Sequence, residues 1–93
     1  MSAKSIGQAI SELTHTLGIQ SKLQQYEAVN LWATVVGTRI AEQTEAIRIE
    51  KGVLVVRVKT AVWRNELNMQ KQEIIEKLNR AVKTNVVKDI RFQ

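Results

Sequence analysis

Cysteine is absent from this 93-residue chain, which excludes disulfides and thiolate metal sites. Histidine occurs once, at position 15. Nucleophilic or general-base catalysis needs a group of suitable pKa held beside a partner. His15, between Thr14 and Thr16 and off the apolar stripe of its segment, reads instead as an ordinary surface histidine. The four glycines, Gly7, Gly18, Gly37 and Gly52, are too scattered to cradle a phosphate in the manner of a P-loop or a dinucleotide fold. Glu73 with Lys77 and Glu76 with Arg80 have the i to i+4 spacing of helix salt bridges rather than of an acid pair or metal site. No apolar run approaches the ~20 residues of a membrane span, and no secretory segment is evident. An enzyme, a cofactor, a metal and a small-molecule ligand are therefore not expected, and the chain reads as a cytoplasmic protein.

What is present is the composition of a folded protein: 44% hydrophobic and 25% charged residues, without a polar tract or linker. Residues 1–93 are expected to form one domain with one modest core. Fourteen Lys and Arg against nine Asp and Glu give +5 and a pI near 9.9, a balance that favours polyanionic partners without naming one.

Periodicity supplies the elements. Ser5 and Gln8 have the spacing of a capping box, followed by Ile6, Ala9, Ile10, Leu13 and Leu17 at helical period, so a helix is predicted over 5–17 with Gly18 as its stop. Ser21 with Gln24 precedes a second apolar stripe containing Leu23, Tyr26, Val29, Leu31, Trp32, Val35 and Val36. This second helix ends at Gly37 or runs on to Ile40 and Ala41. From Thr44 the period falls to two, with Ile47 and Ile49 on one face and Ala46, Arg48 and Glu50 on the other. Lys51-Gly52 is the turn, and Leu54, Val56 and Val58 then alternate with Val53, Val55, Arg57 and Lys59, which makes a hairpin. Thr60 caps a third helix with a stripe of Trp63, Leu67, Ile74, Leu78, Ala81 and Val82, ending near Lys83 with Asn85 as a left-handed stop. Val86 to Phe92 reads as a last strand. The predicted fold class is α+β: order α-α-β-β-α-β, two layers, helices on one face of a three-stranded sheet. If the last strand lies beside the second, the crossover between them is right-handed and parallel.

Alternation places Arg48, Arg57, Lys59 and Arg91 on the sheet face opposite the core. Such a face could contact phosphates, or could equally be a solvated surface partly offset by Glu50 and Asp89. It lacks the aromatic platforms of sheets that select single strands by stacking. Trp32, Tyr26 and Phe92 are read as core. Trp63, in the first turn of its helix beside Arg64, has the features of a partner-binding anchor.

Together, Trp32, Val36-Gly37, Ile40-Ala41 and Thr44, then Gly52 to Val56, then Trp63 with Glu66-Leu67, then Leu78-Asn79, then Ile90-Arg91-Phe92 resemble the DciA-like family. Its pattern runs W-x-x-V-V-G-x-x-I-A, G-x-L-x-V-x-V, W-x-x-E-L, L-N and a closing I-R-F. The resemblance covers residues 32–92. It implies a KH-like domain that acts with the bacterial replicative helicase DnaB as a loader or operator where DnaC- or DnaI-type loaders are lacking, has no ATPase of its own, and contacts DNA. The GXXG loop with which RNA-binding KH domains clamp nucleotides has no counterpart, because Thr60 to Thr84 contains no glycine. Many relatives carry a basic extension after the domain, whereas this sequence stops at Gln93, so no contact that relies on such a tail is carried over.

Three functions follow as expectations. The first is a DnaB-binding replication accessory that holds single-stranded DNA through Arg48, Arg57, Lys59, Arg64 and Arg91 and a partner through Trp63. The second is a general module for RNA or single-stranded DNA. The third is an adaptor that dimerises through a sheet face bearing Val53, Val55 and Val87.

Overall fold

The computed structural model describes residues 5–93. Its elements are α1 (Ile6–Val36), α2 (Thr38–Ala41), β1 (Thr44–Glu50), β2 (Val53–Val58), α3 (Ala61–Met69), α4 (Lys71–Val82) and β3 (Asp89–Phe92). The sheet order is β1-β2-β3, with β2 antiparallel to β1 and parallel to β3. The last strand thus takes the second as its neighbour, and α3 and α4 form the crossover that a parallel pair requires. The structure is α+β with a mixed sheet.

Two expected helices are one. The Ser5 capping box forms as predicted, with Ser5 Oγ accepting from Gln8 N–H and Gln8 Oε1 from Ser5 N–H. The helix then runs through Gly18, which keeps a negative φ and meets no neighbour at its Cβ position. A mid-helix glycine costs only about 1 kcal/mol relative to alanine, too little to stop a segment that contains no proline. The break comes at Gly37, whose φ of 89° lies where side-chain-bearing residues are strained. α2 is therefore a separate turn after α1, not its extension.

The opposite correction applies to the third predicted helix, which divides at Gln70. Gln70 has φ −100° and ψ 4°, and its N–H reaches back three residues to Leu67 O. No glycine or proline marks the site. Both halves touch β3, but α3 also packs on β2 whereas α4 runs along α1, and one straight axis does not serve both. The left-handed stop falls at Lys83 (φ 65°) instead of Asn85, and Ala81, predicted as core, is exposed.

Among the described residues fourteen buried side chains form the core, including Trp32, Ile49, Leu54, Val56, Leu67, Ile74, Leu78, Ile90 and Phe92. Each fully buried Leu or Ile contributes roughly 1.5–3 kcal/mol. The strand Val53–Val58 is central, with Leu54, Val56 and Val58 directed to the helices. Its turn is the predicted Lys51-Gly52, with φ of 50° and 80°, the signs of a two-residue primed turn. Gly52 has a second constraint, since a Cβ there would lie 2.7 Å from Lys88 Cγ.

Trp32 ties the helical layer to the sheet. Its indole Nε1–H donates to Thr44 Oγ1 at 2.8 Å, and the Thr44 hydroxyl donates to Ile40 O at 2.8 Å. Its ring lies 6.4 Å from that of Phe92 at 56°, a tilted aromatic pair. A second polar clamp precedes β3: Asn79 Nδ2–H donates to Val87 O, and Val87 N–H to Asn79 Oδ1, both at 2.9 Å. It holds Val86 to Lys88 without strand pairing, so β3 begins at Asp89 and not at the predicted Val86.

Thr44→Val keeps the shape of residue 44 but leaves the nearly buried Trp32 N–H without its acceptor. It should lower stability by about 1–3 kcal/mol, while Thr44→Ser should cost far less. Urea unfolding followed by tryptophan fluorescence compares them, and equal stabilities would refute a structural role for the bond.

Candidate functional site

Side-chain alternation along β1 is not strict. Pairing shifts between Ala46 and Arg48, a bulge-type irregularity that reverses the parity of the strand. Ala46 consequently packs against the core, where alternation had placed it on the opposite face, and Glu45 takes the open face opposite Arg57. Three rows result across the open face: Glu45–Arg57, then Arg48–Val55–Arg91, then Glu50–Val53–Asp89. Three arginines thus stand against three carboxylates, and Lys59, just beyond the strand, adds one more cation.

Pairing within this face reduces its positive potential further. Arg57 Nη1 lies 3.2 Å from Glu45 Oε2 and Arg48 Nε lies 3.2 Å from Glu50 Oε1. All four side chains are about half exposed or more, so each pair is worth little on its own. Asp89 accepts from Ile90 N–H at 2.8 Å and approaches Lys71 Nζ at 3.4 Å. Val55 is only 1% exposed although it stands outside the core cluster. Its register neighbours are Arg48 and Arg91, whose aliphatic stems can cover it. Val87 is buried in the core, so the apolar sheet face expected from Val53, Val55 and Val87 does not exist as an exposed patch.

Trp63 and Arg64 lie elsewhere, on α3. Thr60 Oγ1 accepts from Trp63 N–H at 3.1 Å, the predicted N-cap, and holds Trp63 at the start of the helix. The Trp63 ring is half-buried against the core. The Arg39 guanidinium carbon lies 5.7 Å from its centroid, within the range of a cation–π contact. Arg39 was not singled out from the sequence. It lies 24 residues before Trp63, and the turn at Gly37 that brings α2 over α3 has no signal in the periodicity except the glycine itself.

The cleft beside this pair has a volume of about 510 Å³ and is lined by Gly37, Arg39, Ile40, Val62, Trp63 and Glu66 among others. It combines an apolar floor with one cation and one carboxylate at the rim, the makeup of a protein-contact pocket. Val62, 80% exposed, extends the apolar surface. Among the described residues no group of three or more His, Asp or Glu could hold a metal ion, and no helix is long and apolar enough to cross a membrane.

The sequence model of the family described as Dna[CI] antecedent, DciA, matches residues 5–92. The chain belongs to the DciA family. A UPF0232 protein of Mycobacterium tuberculosis is 27% identical over 87 residues, covering 94% of this chain and 46% of that protein. A UPF0232 protein of Rhodococcus jostii is 31% identical over 75 residues, covering 81% and 40% respectively. For one from Mycobacterium leprae the identity is 23% over 87 residues, covering 94% and 46%. The chain thus spans less than half the length of these relatives.

Gly37→Ala tests the backbone origin of this cleft. Space is available for the methyl group, with no atom within 4 Å of the Cβ position, so the penalty comes from φ alone. Stability should fall by about 1–3 kcal/mol, with a change in Trp63 emission as Arg39 moves. Unchanged unfolding and fluorescence would mean that the turn accepts alanine.

Proposed function

We propose that this chain is a non-enzymatic DciA-type accessory of DNA replication, a single KH-like domain that binds a DnaB-type replicative helicase and places single-stranded DNA beside it. The observation that carries the reading is the DciA match over residues 5–92, nearly the whole sequence. The layered arrangement of helices on a three-stranded sheet is compatible with a KH-like assignment. The usual KH clamp has no equivalent, because Gln70 and not a GXXG loop joins α3 to α4.

Helicase binding is assigned to the α2–α3 cleft. A half-buried Trp beside an Arg is the composition of an interface hot spot, and the Arg39 guanidinium stands over the Trp63 ring. DNA contact is assigned to two groups of cations: Arg48 and Arg91 with Arg57 on the sheet face, and Lys59 with Arg64 after β2. The mixed charge of the sheet face argues for weak, salt-sensitive phosphate contact that follows docking. A protein without nucleotide hydrolysis can act on the helicase only by binding one of its states more tightly than another.

Pull-down of DnaB from the same organism at physiological ionic strength tests the reading, with and without single-stranded DNA. Trp63→Ala should weaken helicase capture by about tenfold or more, roughly 1.4 kcal/mol. Arg48→Glu with Arg91→Glu should leave capture intact while reducing DNA retention and its salt dependence. Failure of the unaltered chain to bind the helicase would refute the proposal. Retention of RNA or DNA alone would favour the general nucleic-acid module.

A further inference from the structure

The first half of α1 has no core to cover. Every residue from 5 to 20 is exposed, and the molecule measures 62 × 19 × 18 Å, so this segment projects from the body as an arm. Its sequence is nevertheless that of a buried helix face. Ile6, Ile10, Leu13 and Leu17 are 81%, 59%, 59% and 55% exposed. Their spacing of four, three and four is that of the d-a-d-a seam of a coiled coil.

The flanks of this stripe indicate the partner. In the same register Gly7 and Thr14 occupy the e positions and Ala9 and Thr16 the g positions, where partner choice by charge is normally made. None is ionisable. Thr14 Oγ1–H donates to Ile10 O and Thr16 Oγ1–H to Glu12 O, each at 2.9 Å, so both hydroxyls are satisfied within the helix. The ionisable residues of the arm between 5 and 20, Glu12 and His15, fall at positions c and f, away from the stripe. An apolar seam with neutral flanks requires no oppositely charged partner and is complementary to itself.

We propose that the arm pairs with the same arm of a second copy of this chain in an antiparallel two-helix coiled coil. Ile6 then faces Leu17 of the other copy and Ile10 faces its Leu13, so all four seam residues of both copies are covered. From the exposures above, full coverage of the seam buries at most about 500 Å² per copy, roughly 1,000 Å² in all, the lower limit for a biological interface, so the pair is a micromolar one. The antiparallel sense follows from charge and length. The chain carries +5, and arms of about 21 Å, for residues 6 to 20 at 1.5 Å per residue, hold two basic bodies apart. A parallel pair would bring them side by side. Pairing also accounts for a helix that continues through Gly7 and Gly18 although residues 5 to 20 are all exposed, since isolated helices of this length are marginal in water.

Sedimentation velocity of the full chain across micromolar concentrations tests the proposal. A dimer is expected, and Leu13→Glu should weaken it by about tenfold or more while leaving the unfolding midpoint of the Trp32 region unchanged, because Leu13 lies outside the core. Leu13→Ala, which retains helix propensity, should weaken it less. The absence of native cysteine permits a second readout. With oxidised glutathione as the oxidant, Ile6→Cys and Leu17→Cys proteins should form a disulfide when mixed and none when separate. A monomer at all these concentrations, or a dimer indifferent to Leu13→Glu, would overturn the proposal. Self-linking of either cysteine variant alone would overturn the antiparallel arrangement.

Discussion

The arrangement of the molecule depends on Trp32. Its indole is the only described side chain that both donates a hydrogen bond into β1, at Thr44, and packs on an aromatic ring of β3, at Phe92. The Thr44 hydroxyl passes the bond on to Ile40 O, so one polar chain joins α1, α2 and β1. A buried polar group must be satisfied or it costs more than it returns. The requirement therefore sets the path of the chain from Val36 through Gly37 to Thr44. The cleft beside Trp63 is a by-product of that path, because the same turn places Arg39 over the α3 indole.

The anchor also divides α1 by function. Its last turns carry Ala28 and Trp32, both buried, and belong to the core. The earlier turns have the same heptad-like hydrophobicity but, among the described residues, no core to cover. Periodicity records that a face will be buried, whether by the same chain or by another. Here the two halves of one helix give the two answers.

The open sheet face shows how one local irregularity alters an electrostatic reading. Three arginines reach this face as alternation requires, but the shift between Ala46 and Arg48 adds Glu45 to it and pairs that carboxylate with Arg57. A surface that alternation makes basic becomes one of mixed sign. Its positive potential is then local, at Arg48 and Arg91 across Val55, rather than the field of a uniformly positive sheet.

Much of the fold was determined by the sequence alone. The Ser5 and Thr60 caps, the Lys51-Gly52 turn, the hairpin, the apolar stripe of Leu67, Ile74, Leu78 and Val82 and the family pattern all depend on neighbours within a few residues, where local chemistry decides the outcome. Tertiary structure decided the rest. It carried α1 through Gly18, broke the crossover helix at Gln70, placed β3 beside β2, buried Val87 through Asn79, exposed Tyr26, and brought Arg39 to Trp63. Each of these weighs a local preference of about a kilocalorie per mole against packing or hydrogen bonds made with residues far away in the chain, and where those distant contacts are worth more, the local signal is overridden.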